Sequence, residues 1–189
     1  MTTITFDVET TGLPNRKGFD LYYHPKELYN YDTSRVVQIA YVVSDERGDI
    51  QKRVSKVIFP DNFLIENSHI HGISQERAQN EGKKIKPILE ELEKDLEKCK
   101  LIVAHNILFD LNIVLSECYR YGMKNVIELL EKVEKYCTMS EGKRKMDIRK
   151  NPKLVELYAY YYPDEKWEQK HEAMDDVEKC FSCYKKMEL

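Results

Sequence analysis

The chain has 189 residues, 42% of them hydrophobic and 33% charged, with a formal net charge of −3. That is the balance of one globular domain with a substantial core, and a mildly acidic total argues against a protein that coats phosphates by bulk charge. No apolar run approaches the ~20 residues of a membrane helix, Asp7 and Glu9 fall where a signal peptide would need an apolar core, and five cysteines, an odd number, suggest reduced thiols; a cytoplasmic protein is expected.

The first predicted element is a strand. Ile4, Phe6 and Val8 alternate with Thr5, Asp7 and Glu9, so Asp7 and Glu9 share one face at a spacing of about 7 Å. Both ionised, they repel, and partial burial raises at least one pKa. A lone Asp-x-Glu is more often a solvated edge. Here Thr10-Thr11-Gly12 turns the chain just beyond, which puts the pair at a strand's C-terminal end, where open α/β sheets bind ligands.

Residues 14–34 form a long polar, tyrosine-rich connection, of a length that is either functional or an ordered surface insertion. Val36 to Val43 is almost continuously apolar, the pattern of a strand buried on both faces. Asp45 to Asp49 reads as a hairpin turn with Gly48 left-handed. Ile50 to Phe59 is lysine-rich and therefore near a sheet edge. In Glu66–Ser74, His69 and His71 are read on one strand face as potential metal ligands, and Ser74 as the cap of a short helix. Ile85, Ile88, Leu89, Leu92 and Leu96 mark an amphipathic helix. Leu101 to Ala104 is a short strand, followed at once by a helix from Asn106 to Tyr121 that Gly122 ends. A helix over 126–133, a last strand over 135–139, a basic irregular stretch over 140–153, a helix over 153–162 stopped by Pro163, and an amphipathic helix from His171 complete the chain. Three strands joined by short turns, then strand–helix units, predict an α/β fold with a mixed sheet. No repeat or boundary divides the chain, so residues 1–189 are expected to form one domain.

Two further acids stand out at about 100° per residue. Ile107, Leu111, Val114 and Cys118 form a core stripe, and Asp110 lies ~60° from it in a segment apolar almost all round. Ala173, Val177, Cys180 and Tyr184 form another stripe; Asp176 lies ~60° from it, whereas Asp175 is ~160° away and expected in water. A semi-buried carboxylate is costly unless paired or metal-bound. Four acids from three distant segments suit hard cations such as Mg²⁺ or Mn²⁺. The Cys180-x-x-Cys183 pair has no second pair to complete a zinc site and reads as packing. Lys143-Arg144-Lys145 reads equally as a phosphate contact or a solvated loop.

Three motifs in order, Asp7-x-Glu9-Thr10-Thr11-Gly12, His105-Asn106-x-x-Phe109-Asp110 and His171-x-Ala173-x-x-Asp176, resemble those of the DEDDh exonucleases. That family includes the proofreading epsilon subunit of bacterial DNA polymerase III. The resemblance runs from Thr2 to about Tyr184. It implies an RNase H-like mixed five-stranded sheet flanked by helices and 3′→5′ hydrolysis that releases nucleoside 5′-monophosphates. It makes Asp7, Glu9, Asp110 and Asp176 the ligands of two divalent cations and His171 the general base. An imidazole, with an ordinary pKa of about 6.5, suits that task near neutral pH. It also assigns Thr10, Thr11 and Leu13 to the 3′-terminal base and sugar, Glu66 and His71 to the terminal nucleotide, and Asn106 and Phe109 to the same cleft. The implied partners are single-stranded 3′ ends and a DNA polymerase or replication complex. DNA is the expected substrate. An RNA-directed enzyme of the RNase T or oligoribonuclease kind, and a non-catalytic nucleic-acid-binding module, are the rival readings.

Overall fold

The computed structural model describes residues 2–18 and 21–188. Its centre is β1 (Thr2–Thr10), which has partners of both senses. On one side β1 pairs antiparallel with β4 (Val36–Ser44), with Phe6 opposite Tyr41 and Glu9 opposite Gln38. β4 pairs antiparallel in turn with β5 (Ile50–Val57), the sheet edge. On the other side β1 runs parallel to β6 (Cys99–Ala104), and β6 parallel to β7 (Glu134–Cys137). The order β5-β4-β1-β6-β7 makes a mixed five-stranded sheet.

The side-chain patterns explain the layers. β4 is buried along its whole length because helices cover both of its faces. α3 (Ile85–Leu96), α4 (Ile107–Tyr121) and α5 (Lys124–Lys132) cover the face that carries Ile4, Phe6, Val8, Ile39 and Tyr41. α7 (Leu154–Tyr161) and α8 (Ala173–Glu188) cover the face of Ala40, Val42 and Val103. Period-2 alternation in β1 thus sends Ile4, Phe6 and Val8 to the first layer and leaves Asp7 and Glu9 toward the second. Gly122, at φ 68°, ends α4 in the left-handed conformation that favours glycine. All five cysteines are unpaired, and no described helix is long and apolar enough to cross a membrane.

The long connection after β1 is ordered from within. It holds a small hairpin of β2 (Arg16–Gly18) and β3 (Leu21–Tyr22), then a 3-10 turn, Leu28–Tyr31, whose Tyr31 is fully buried. Two local expectations are corrected, and the short helix capped by Ser74 is found. Residues 68–71, read as strand, form α1 (Ser68–His71). A second short helix, α2 (Gln75–Glu81), follows, and Ser74 caps it by accepting the Arg77 N–H. The stretch after Ser140, read as irregular throughout, begins in α6 (Thr138–Lys145) and is irregular only from Met146 on. The helix has few apolar side chains and Gly142 at its middle, so it shows no stripe. Yet a Cβ at Gly142 would meet Leu157 at 2.6 Å, so the glycine is what lets α6 pack on α7.

Candidate active site

β1 and β6 part company at the site. Their parallel register runs from Thr2 to Thr5. Further along β1, the Val8 N–H donates to Asp110 Oδ1 at 3.2 Å, so α4 delivers its carboxylate through the opening. Asp7 and Glu9 come from β1 and Asp176 from the first turn of α8. All four line one cleft of about 430 Å³. His171 lies just before α8 in a left-handed conformation, φ 52°. That places its exposed ring at the mouth of the cleft, where Glu9, His171 and Asp176 bring ligand atoms within 4.8 Å of one another.

The electrostatics are those of acids forced together. Burial, then the charges of Asp110, Asp176 and Glu9, hold Asp7 well above the ordinary carboxylate range. Burial, then Asp176 and Asp110, pushes Glu9 up to about 8. Burial pushes Asp110 to about 8 against the opposing Val8 N–H, and Asp176 to about 6 against the Gln169 amide. Gln169 donates to Asp176 Oδ2 at 2.7 Å, while Asp176 Oδ1 is buried without a hydrogen-bond partner among the described residues. Clustered hard oxygens, each destabilised as an anion, and one orphaned carboxylate oxygen fit divalent cations.

The walls are apolar. Leu13 (66% exposed), Ile70 (46% exposed) and the half-buried Phe109 present open hydrophobic surface beside the acids. The turn that carries Leu13 is fixed to the chain around Thr33. Thr11 Oγ1 donates to Thr33 O at 3.0 Å, and Thr33 Oγ1 to Leu13 O at 2.9 Å. A Cβ on Gly12 would come within 2.8 Å of Thr33 O, which restricts that position to glycine.

The predicted site residues divide. Asp7, Glu9, Thr10, Leu13, His71, Phe109, Asp110, His171 and Asp176 meet on the cleft. Thr11 does not line it; its hydroxyl serves Thr33 and the Arg35 N–H. Glu66 is exposed and is not among the residues that line it, and Asn106 faces a different groove. His71 lines the cleft, but both its nitrogens are engaged. Ile73 N–H donates to Nδ1, which leaves Nε2 to donate to Asn67 Oδ1 at 3.2 Å. Asn67 in turn donates to Thr10 O.

Other residues at the site have no sequence signal. Asn67, Ile70 and Gln169 line the cleft, and Gln38 holds the start of α8. Gln38 Oε1 accepts the Ala173 N–H at 3.3 Å and Nε2 donates to Glu172 at 3.0 Å. Its position opposite Glu9 could have marked it, but only with the strand register known. Asp175, expected in water, is half-buried.

A mixed five-stranded sheet between helical layers, with an acidic cleft at the end of its central strand, is the layout of an RNase H-like nuclease domain. Within that class the chain belongs to the exonuclease family RNase_T, whose sequence profile matches residues 4–184, and it is of the DEDDh 3′→5′ type. It is 34% identical over 135 residues to the 3′-5′ exonuclease DinG of Bacillus subtilis (strain 168), a match that covers 69% of this chain and 12% of that protein. Its fold is similar to that of E. coli Exonuclease I. The complex with a dA16 oligonucleotide superposes with a TM-score of 0.70 at 17% identity, over 99% of this chain and 41% of the other. The complex with a 5cy-dT13 oligonucleotide gives 0.69 at 17% identity, over 97% and 40%. The chain thus spans well under half the length of these relatives.

Proposed function

We propose that residues 1–189 act as one exonuclease domain that hydrolyses single-stranded nucleic acid, DNA in the first instance, from its 3′ end to nucleoside 5′-monophosphates, and that the activity depends on two divalent cations. One observation carries the reading: four carboxylates from three distant segments converge in a cleft that strips them of solvent. The name of the Bacillus relative and the oligonucleotide complexes of Exonuclease I support the direction and the substrate.

Asp7, Glu9, Asp110 and Asp176 would hold the cations. When bound, Mg²⁺ or Mn²⁺ supply positive charge beside the scissile phosphate and make a water easier to ionise. Leu13, Ile70 and Phe109 hold the terminal base by apolar contact, which tolerates any sequence. They also keep bulk water from that side of the cleft. His171, exposed and unburdened by any hydrogen bond among the described residues, accepts the proton of the attacking water on a ring nitrogen. Its position before α8, on a connector rather than in a helical turn, lets it approach from the solvent side while Asp176 stays fixed.

The test is a time course on matched 5′-labelled DNA and RNA oligomers with Mn²⁺ or Mg²⁺ and with EDTA. A ladder that shortens from the 3′ end, faster on DNA and silent in EDTA, is expected. Cleavage that persists in EDTA, or early release of the 5′ label, overturns the reading. A faster RNA ladder transfers the substrate to RNA.

A further inference from the structure

A second cavity lies behind the wall of the acidic cleft. His105 and Phe109 face the cleft, and Asn106 and Leu108 between them face a groove of about 360 Å³ completed by Tyr22, Ser140, Lys143 and Asn151. The wall is short, the left-handed Asn106 and the first residues of α4, so consecutive nucleotides of one strand can touch both sides.

The chemistry of the two cavities is opposite. Four acids line the cleft, whereas no carboxylate among the described residues lines the groove. In a chain of net charge −3 that is a local exception. The basic triplet of α6 separates by role. Arg144 is held by Glu141 at 2.8 Å and Lys145 by Glu188 at 3.3 Å. Lys143 has no acidic partner among the described residues and faces the groove. Across from it the Tyr22 ring is backed by the Arg16 guanidinium, 5.0 Å from the ring centroid, which adds positive charge to the rim. Leu108 is 50% exposed at the centre, an apolar platform that the core does not use. The amides of Asn106 and Asn151 make no hydrogen bond among the described residues, and Asn106 is held at φ 67°. Flat apolar surface, spare amides and an unneutralised cation together suit a base, a sugar and a phosphate.

We infer that this groove binds the nucleotides immediately 5′ of the terminal one, so that Lys143 neutralises an upstream phosphate while Leu108 and Tyr22 support an upstream base. The inference rests on the nucleolytic reading of the acidic cleft. It makes the enzyme length-sensitive: a dinucleotide fills the cleft alone, and a longer strand gains the groove.

The experiment compares kcat/KM on 5′-labelled dT2 and dT8 in Mn²⁺ for the wild type, Lys143→Glu and Leu108→Ala. The wild type should favour dT8. Lys143→Glu should lose about tenfold on dT8, little on dT2, and flatten the salt dependence on dT8 by roughly one charge. Leu108→Ala should lose severalfold on dT8 alone. An equal loss on both substrates, or none on either, overturns the groove while trimming of dT2 keeps the nucleolytic reading intact. If the wild type degrades neither oligomer, that reading fails and the groove with it.

Discussion

The indole Nε1–H of Trp167 donates to Asp175 Oδ2 at 2.7 Å. Two residues further on, Gln169 donates to the neighbouring acid, Asp176, at 2.7 Å. Beyond Tyr162 the connector between α7 and α8 is otherwise exposed, and Trp167 and Gln169 are the residues it turns inward. Trp167 packs edge-on against Tyr158 at 5.5 Å, with the Lys179 ammonium 4.4 Å from the centroid of the tyrosine ring. The adjacent acids therefore have different work. Asp175 anchors the connector that carries His171, and Asp176 faces the cleft.

From that division, Asp176→Asn should abolish turnover and weaken Mn²⁺ binding. Asp175→Asn should keep most activity, because an amide oxygen still accepts the indole N–H. Asp175→Ala should free Trp167 and lower kcat severalfold with little change in KM, since His171 loses its fixed approach. The chain has one tryptophan, so its emission should shift to the red in Asp175→Ala and not in Asp175→Asn. Kinetics and fluorescence on the three variants settle the roles, and activity lost in Asp175→Asn but kept in Asp176→Asn would exchange them.

The sheet and the long helices were legible because their side chains repeat with period 2 or 3.6. The acids were legible for two reasons: Asp110 and Asp176 each sit at the edge of an apolar helical stripe, which costs energy unless something compensates, and Asp7 and Glu9 share one face of a strand where the chain turns. Asn67, Trp167 and Gln169 lie in irregular stretches with no period to break, and Gln38, which interrupts an apolar strand, carries no sign of what it meets; in each case the partner lies far off in sequence or across an irregular connector. His71 was legible as a position but not in its duty, since its ring serves its own loop. Local pattern reports which face a residue occupies; tertiary closure decides what it meets there.

The charged cluster predicts a trade between stability and activity. Burial raises Glu9 to about 8 from an ordinary 4.5. A group with a raised folded pKa contributes stability that is fully present below its unfolded pKa and is lost as pH rises through the folded one. Between about pH 4.5 and 8, then, the metal-free protein is progressively destabilised through Glu9. Glu9→Gln cannot ionise. Its thermal midpoint in EDTA should exceed the wild type's by a few degrees at pH 8 and by little at pH 4.5. Its turnover should be abolished. A variant that melts no higher than the wild type at pH 8 would count against the repulsion, and one that retains turnover against the ligand role.

His171→Ala should slow the reaction by roughly 10²–10⁴-fold, the usual contribution of a positioned base. Because the four acids remain, Mn²⁺ should bind with nearly wild-type affinity. Calorimetric titration beside single-turnover kinetics separates the two effects. A large loss of Mn²⁺ affinity would make His171 a ligand, an assignment its distance to Glu9 and Asp176 also permits.

The last prediction concerns acid pH and a residue outside the proposed chemistry. His105 ties the end of β6 to the start of α6 and to the entry of α7. One nitrogen meets Thr138 Oγ1 at 3.0 Å, and the other donates to Pro152 O at 3.0 Å. Burial lowers its pKa to about 4. Here the sign is reversed. A depressed folded pKa contributes stability that is present above the unfolded value, about 6.5, and is lost as pH falls toward the folded one. Between pH 7 and 5 the wild type should therefore lose on the order of 1–2 kcal/mol through this ring. The cleft acids move the other way over the same range, so raw stability curves mix the two. Subtracting His105→Gln removes the acids, whose contribution is common to both proteins. Glutamine retains an N–H for Pro152 and cannot take up a proton. Urea unfolding of both proteins at pH 5, 6 and 7 should show the stability difference shifting steadily toward the variant as pH falls. A difference that stays constant from pH 7 to 5 would mean that the ring protonates without cost and that its burial does not govern it.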